Sequence, residues 1–184
     1  MNKVIITVLG KDRPGIISRV TTALYELGCN LENVNQMILQ QQFAGFFIVE
    51  PPANTTLADL AQTLKEKTEP SGLTVHINQV QDTGAREDVI KGEIFLMTTI
   101  GPDQKGLVAR FSQIIARYHA NIINLKAVFK GGNDPNANIM SYQIQITPDI
   151  DTGQLFGALR QKAEDLGLDI RIQHKNIFDA INKI

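Results

Sequence analysis

Apolar side chains recur with helical spacing at two places in the chain, 91 residues apart. At each place they occupy positions i, i+1, i+4, i+7, i+8 and i+11, which is one face of an α-helix. The two sets are Ile16, Ile17, Val20, Ala23, Leu24 and Leu27, then Leu107, Val108, Phe111, Ile114, Ile115 and Tyr118. The pattern predicts two copies of one amphipathic helix.

The similarity extends beyond the apolar positions. Residues 9–39 and 100–130 align at the same offset without a gap and share six identical residues. The identical pairs are Gly10 and Gly101, Asp12 and Asp103, Gly15 and Gly106, Arg19 and Arg110, Asn30 and Asn121, and Asn33 and Asn124. Similarity at one fixed offset indicates a duplicated structural unit.

Strand patterns surround each predicted helix in the same order. We predict strands over 3–9, 31–39, 43–50 and 73–80 in the first copy, and over 93–100, 122–130, 139–147 and 168–174 in the second. A second helix in each copy follows a capping residue, Thr55 or Thr56 and then Asp151 or Thr152. Each second helix ends near a glycine, as helix C-termini often do.

Each half therefore has the β-α-β-β-α-β order of ferredoxin-like domains, in which two helices cover one face of a four-stranded antiparallel sheet. This predicts an α+β protein with domains over residues 1–82 and 92–184. A polar linker is expected over 83–91, and a short extra helix over 176–184 is expected to pack against the second domain or a partner.

The third strand of the first half conflicts with an exposed sheet face. Residues 43–49 are apolar on both faces, whereas an antiparallel sheet with helices on one side commonly shows polar residues on the other. We therefore expect another domain or another chain to cover this face, and we expect a homodimer. The remaining possibility is a strand that simply exposes some apolar residues.

Composition and charge narrow the function classes. The 18 Lys and Arg residues nearly balance the 19 Asp and Glu residues, which disfavours nonspecific nucleic-acid binding. No apolar run has the roughly 18 residues that a membrane-spanning helix needs, and the chain starts in a strand pattern without a signal peptide. Cys29 is the one cysteine, so neither an internal disulfide nor a cysteine metal cluster is expected. The expected location is the cytoplasm.

The segment from Gly10 to Ile16 has the chemistry to recognise a small zwitterion. Free amides near Gly15 and Ile16, at the positive end of a helix, suit a carboxylate. Asp12 could accept hydrogen bonds from an ammonium group or cap the helix, and Pro14 suits the first helical turn. Asn30 is expected to start a strand that returns beside this segment. The alternative is that these residues are a cap, a tight turn and a strand entry, with no ligand.

The motif Gly10-x-Asp12-x-Pro14-Gly15-Ile16, followed by Gly28-Cys29-Asn30-Leu31 within a βαββαβ frame, resembles the ACT domain. The resemblance covers nearly the whole chain as two tandem domains, and the second copy is the looser match. It implies ligand contacts at these positions: Asp12, Arg13, Gly15, Ile16, Asn30 and Leu31, and in the second copy Asp103, Gly106, Leu107 and Asn121. The second copy replaces Arg13-Pro14 with Gln104-Lys105, so at least one of the two sites could be purely structural.

The resemblance also implies a role. ACT domains are regulatory modules that commonly bind amino acids between domains and pass that state to a partner. Stand-alone double-ACT proteins include regulators of glycine cleavage transcription. We therefore expect a non-catalytic regulator that needs no cofactor or metal, binds a glycine- or serine-like amino acid, and acts on a protein partner such as a transcriptional regulator. The open alternative is a ligand-free interaction or dimerisation module.

Two other classes fit poorly. RNA-binding modules share the βαββαβ order, but no basic residue leads the 43–49 strand, and the first strand has no stacking aromatic residue. An enzyme is disfavoured because the three histidines are scattered and no nucleophile, phosphate-loop or metal motif is present. Direct nucleic-acid binding and catalysis are therefore not expected.

Overall fold

The computed structural model describes residues 3–80, 92–129 and 138–181. The chain divides into two compact units, residues 1–86 and 87–184. The predicted linker over 83–91 lies outside the described residues, and its exact bounds stay a prediction.

The first unit has the predicted element order. Its elements are β1 (Val4–Lys11), α1 (Ile16–Glu26), β2 (Asn30–Leu39), β3 (Gln42–Glu50), α2 (Leu57–Thr68), a 3₁₀ turn (Glu69–Ser71) and β4 (Thr74–Gln79). The sheet order is β2-β3-β1-β4, and all neighbouring strands are antiparallel. Thr56 caps α2 by accepting a hydrogen bond from the Asp59 amide at 3.1 Å.

The second unit repeats this order. Its elements are β5 (Glu93–Gly101), α3 (Leu107–Arg117), β6 (Asn121–Phe129), β7 (Asn138–Ile146), α4 (Thr152–Asp165), β8 (Asp169–His174) and α5 (Lys175–Ile181). The sheet order is β6-β7-β5-β8, again antiparallel throughout. The predicted α+β class, with two ferredoxin-like units, is confirmed. The extra helix α5 packs on β5 and β8 of its own unit.

The duplication is exact enough to place equivalent residues. Both units have a register shift at the start of their second strands, between Leu31 and Asn33 and between Ile122 and Asn124. From the third strand onward the offset becomes 95 residues, since Phe43 lies opposite Gly10 and Asn138 lies opposite Gly101. A longer connection between the second and third strands of the second unit accounts for the change.

Each core lies between the helices and one sheet face. In the first unit Val4, Ile6, Val8, Phe47 and Val49 face buried residues of both helices, such as Leu24 and Leu60. Alternation along the strands therefore sets which residues are inside. The second unit buries the equivalent positions, except that Phe95, the equivalent of Val4, is only partly buried.

The sheet faces away from the helices differ between the units. In the first unit this face carries Phe46, which is 41% exposed, beside the half-buried Ile48. At the equivalent positions the second unit has Ser141 and Gln143. The second unit is polar at these two positions, although Ile139 on the same face is 42% exposed. Coverage of the first unit's open face by another domain or another chain stays a prediction.

Candidate functional site

The bend before the first helix of each unit depends on a glycine. We call residues 12–15 the first bend and residues 103–106 the second bend. Gly15 has φ 91° and Gly106 has φ 81°, in the left-handed region that L-residues rarely adopt. An added Cβ at Gly15 would meet no atom within 4 Å. The glycine is therefore needed for its backbone angle and not for space.

The helices after these bends begin without side-chain caps. Among the residues that the structure describes, no side chain bonds to the first amides of α1 or α3, and neither first turn contains an acidic residue. Of the two roles considered for Asp12, capping of α1 is not the one observed, because Gly15 is the N-cap residue. The Asp12 amide instead donates to the Gln41 carbonyl at 2.7 Å, which ties the bend to the β2–β3 turn. Because the first amides of a helix have no intrahelical acceptors, these two N-termini favour an anion.

Pro14 and Ile16 also differ from their expected roles. α1 starts at Ile16, so Pro14 belongs to the bend and not to the first helical turn. The Ile16 side chain is 4% exposed and lies in the core, as does that of Leu107. These two predicted contact residues can therefore offer a ligand their backbone amides but not their side chains.

Two arginines stand beside the bends, and sequence reasoning did not assign them a role. Arg19 and Arg110 lie one turn into α1 and α3. Arg19 lines a small cavity of about 120 Å³ together with Arg13, Gly15 and Ser71. In the second unit, the Nε atom of Arg110 is 3.9 Å from where a Cβ of Gly106 would lie. The signal that could have found them was their identity across the duplication.

In the second bend, one side chain makes a hydrogen bond to another part of the same unit. Gln104 Nε2 donates to the Leu166 carbonyl at 2.7 Å, at the C-terminal end of α4. Arg13 occupies the equivalent position in the first unit. Within the described residues, Arg13 makes no side-chain hydrogen bond or ion pair. The first bend therefore keeps the exposed Arg13 and Arg19 beside an uncapped helix N-terminus. The second bend has exposed cations in Lys105 and Arg110, but Gln104, which replaces Arg13, is committed to the Leu166 carbonyl.

Gly10 and Gly101 are required by packing. A Cβ on Gly10 would lie 2.6 Å from Leu73 Cδ2 and 3.2 Å from the Gly72 carbonyl oxygen. Gly101 has the same relation to Leu168 and Gly167. The final loop of each unit thus fills the space beside its bend, and a larger residue at either glycine would displace that loop.

Asn30 does not lie beside the first bend, so that expectation is wrong. Asn30 pairs with Glu50 at one end of the sheet, while Lys11, just before the bend, pairs with Gln42 at the other. The reason is topological: α1 carries the chain back along the sheet before β2 begins. Leu31 follows Asn30 at the same far end, and Asn121 in the second unit pairs with Gln145, far from Gly101.

The edge strand β2 is open along its whole length. All ten of its residues are exposed, including Leu31, Val34, Met37, Ile38 and Leu39. An edge strand presents unpaired backbone groups that can pair with another strand. The equivalent strand β6 also exposes Ile123, Leu125 and Val128.

The remaining candidate chemistry is limited. Cys29 is partly buried against the first core, and burial raises the pKa of its thiol, which disfavours the reactive thiolate. Within the described ranges, no three His, Cys, Asp or Glu side chains lie together as a metal site would need. In the same ranges no helix is long and apolar enough to cross a membrane.

Comparison with known proteins identifies the family. The sequence profile of the ACT domain matches residues 2–78 and again residues 93–173. The glycine cleavage system transcriptional repressor of Escherichia coli is 27% identical over 146 residues, which are 78% of this chain and 72% of that protein. A UPF0237 protein of Methanopyrus kandleri is 32% identical over 89 residues, 48% of this chain and 96% of its own.

A solved structure shares the fold across both units. An unknown protein from Galdieria sulphuraria superposes with a TM-score of 0.74 at 19% identity, covering 94% of this chain and 98% of its own. The two family matches fall on the two βαββαβ units described above. The chain therefore belongs to the ACT domain family, as a tandem pair of its domains related to the glycine cleavage system transcriptional repressor.

Proposed function

We propose that this protein is a non-catalytic regulator whose first unit binds a small amino acid of the glycine or serine type at the first bend. The single observation that carries the proposal is the bare N-terminus of α1, flanked by two unpaired arginines over a small cavity. Amino-acid occupancy would then alter the surface offered to a protein partner. The partner class suggested by the relative from Escherichia coli is a transcriptional regulator.

The carboxylate end of the ligand has the clearest set of partners. Backbone amides at the start of α1 and the helix dipole favour a negative group there. Arg13 and Arg19 line the same cavity and supply guanidinium donors, which suit a planar carboxylate. The half-buried Asp12 is the acceptor available in this bend for the ammonium end.

The second bend is the weaker candidate. Gln104 is committed to the Leu166 carbonyl, so the site lacks the equivalent of Arg13. Asp103, Gly106 and Leu107 would then shape the chain without binding a ligand. This assignment agrees with the possibility, raised by the sequence, that one of the two sites is structural.

Asn30 can contribute to the first site only if it comes from the β2 strand of a second copy of the chain. β2 runs from Asn30 at the far end of the sheet to Leu39 at the bend end. Antiparallel pairing of two β2 strands from two copies of the chain would bring Asn30 and Leu31 of each copy to the bend end of the other. A homodimer would therefore complete two equivalent sites.

A thermal-shift screen against the common amino acids tests the proposal. A ligand present at about 100 times its dissociation constant adds roughly 2.7 kcal/mol of stability, a clear rise in Tm. We expect glycine or serine to raise the Tm of the wild type. The Arg19→Ala and Asp12→Ala variants should lose most of the shift, and Asn30→Ala should lose it if the dimer completes the site.

The duplication supplies a matched control. Arg110→Ala removes the equivalent arginine from the second unit and should keep the full shift. A flat response to every amino acid would refute the effector role. It would leave the second candidate function, a ligand-free dimerisation module, which the exposed apolar residues of β2 favour independently.

A further inference from the structure

The core of the second unit contains polar side chains where the core of the first unit has apolar ones. Thr99 is 1% exposed and Asn138 is 3% exposed. Their equivalents in the first unit are Val8 and Phe43, both buried. Tyr142 is likewise buried and replaces Phe47. The first unit shows that the fold does not need polar groups at these three positions.

These groups belong to one cluster on the helix-facing side of the sheet. Thr99 lies directly opposite Met140, and Asn138 lies opposite Gly101 on the same pair of strands. Thr99 and Asn138 are therefore diagonal neighbours on one face. The Tyr142 hydroxyl contacts Met140 Sδ at 3.6 Å, which directs it along β7 toward the same residues.

The polar atoms of this cluster lack protein partners. Within the described residues, Thr99 Oγ1 and both the Oδ1 and Nδ2 atoms of Asn138 are buried and make no hydrogen bond. The Tyr142 hydroxyl has only a sulfur atom, which is a weak acceptor. A buried polar group without a partner loses its hydration without compensation, so such groups are rare in native proteins.

We propose that the second unit binds an ordered water molecule in its core, bridging Thr99 and Asn138. Thr99 Oγ1, Asn138 Oδ1 and Asn138 Nδ2 together offer three hydrogen-bonding atoms, the number that a buried water typically uses. The unbranched side chain of Met140 can adjust to make room for it. The first unit has no equivalent site, because Val8 and Phe43 offer no polar side-chain atom.

The Thr99→Val variant tests this site, because it removes the hydroxyl with little change in shape. If a water molecule bridges the Thr99 hydroxyl, the variant removes a hydrogen bond that stabilises the fold. It should then raise the unfolding equilibrium constant of the second unit by about tenfold. An unpaired hydroxyl is costly, so without a bridging water the same variant would be neutral or more stable. The measurement is urea unfolding of the full chain, followed by amide hydrogen exchange in β5.

Two further comparisons keep the test decisive. If Thr99→Val fails to fold, Thr99→Ser and Thr99→Ala can replace it, and Ser should be the more stable because it keeps the hydroxyl. Val8→Thr places a hydroxyl at the equivalent position of the first unit. Its effect on the free energy of unfolding gives the cost of a buried hydroxyl that has no polar neighbour.

A crystal structure should show density for a water molecule within hydrogen-bond distance of both Thr99 and Asn138. Clear density for these side chains with no bridging peak would overturn the proposal.

Discussion

At the scale of single residues, the two bends show how a backbone angle and a functional surface share the same positions. Gly15 and Gly106 adopt left-handed angles that turn each strand into its helix. Because the residue that precedes each helix is a glycine, no side chain is present to cap the first amides. The geometry that forms the turn therefore also leaves the helix N-terminus available to an anion.

Replacing Gly15 with alanine should destabilise the first unit. The left-handed conformation costs an L-residue about 1–2 kcal/mol, and the free energy of unfolding should fall by about that amount. Gly157→Ala is the matched control, since Gly157 lies within α4 and an added Cβ there meets nothing within 4 Å. That change should raise stability by up to about 1 kcal/mol. Equal effects of the two variants in urea unfolding would contradict this account.

At the scale of elements, the repeated pattern predicted the eight strands and the four helices of the two βαββαβ units near their observed places. Helical spacing located α1 and α3. Of the two cap candidates offered for each second helix, the structure selects Thr56 over Thr55 and Asp151 over Thr152, because the side chains of Thr56 and Asp151 accept hydrogen bonds from helix amides. The capping role of Asp12 failed for a local reason: the left-handed Gly15, not Asp12, precedes the helix. Composition alone does not specify that angle.

The placement of Asn30 needed tertiary information. Sequence order puts Asn30 soon after the first bend, but the return path of α1 puts it at the opposite end of the sheet. The sequence also did not predict that β2 is exposed along its whole length, because a strand with several apolar residues has the same sequence pattern at the centre of a sheet and at its edge. Sheet order, which comes from long-range pairing, decides both points.

The β2–β3 turn offers a further test at this scale. Gln40 and Gln41 both have positive φ, 47° and 65°, as a two-residue type I′ turn requires. Asn and Gly suit these positions better, so the double change Gln40→Asn and Gln41→Gly should raise the free energy of unfolding by about 1 kcal/mol. Replacing both with alanine keeps the strain and should give no gain. A gain from alanine as large as that from Asn-Gly would show that strain is not the cause.

At the scale of the whole molecule, the two units have diverged from one plan. The first has apolar side chains at the positions of Thr99, Asn138 and Tyr142, an exposed Phe46 on its open face and a bend joined to the β2–β3 turn. The second has polar groups in its core, a more polar open face and a bend tied to α4. Under the proposed function, the first unit would bind the ligand and the partner, while the second unit would be mainly structural.

Association through β2 can be tested by placing a charge on it. Met37 is 55% exposed near the bend end of β2, and lysine on an edge strand opposes pairing with another strand. In the proposed β2-paired dimer, Met37→Lys should therefore shift the equilibrium toward monomer in sedimentation experiments. Ala58→Lys, on the exposed side of α2, is the control and should not change the assembly. A dimer that survives Met37→Lys unchanged would place the interface elsewhere.

The most direct test of the central claim is titration calorimetry of glycine and serine into the wild type, Arg19→Ala and Arg110→Ala. Binding at the first bend predicts one ligand per chain, with affinity lost in Arg19→Ala and kept in Arg110→Ala. If neither amino acid binds to the wild type, or if the two arginine variants lose affinity equally, binding at the first bend is contradicted.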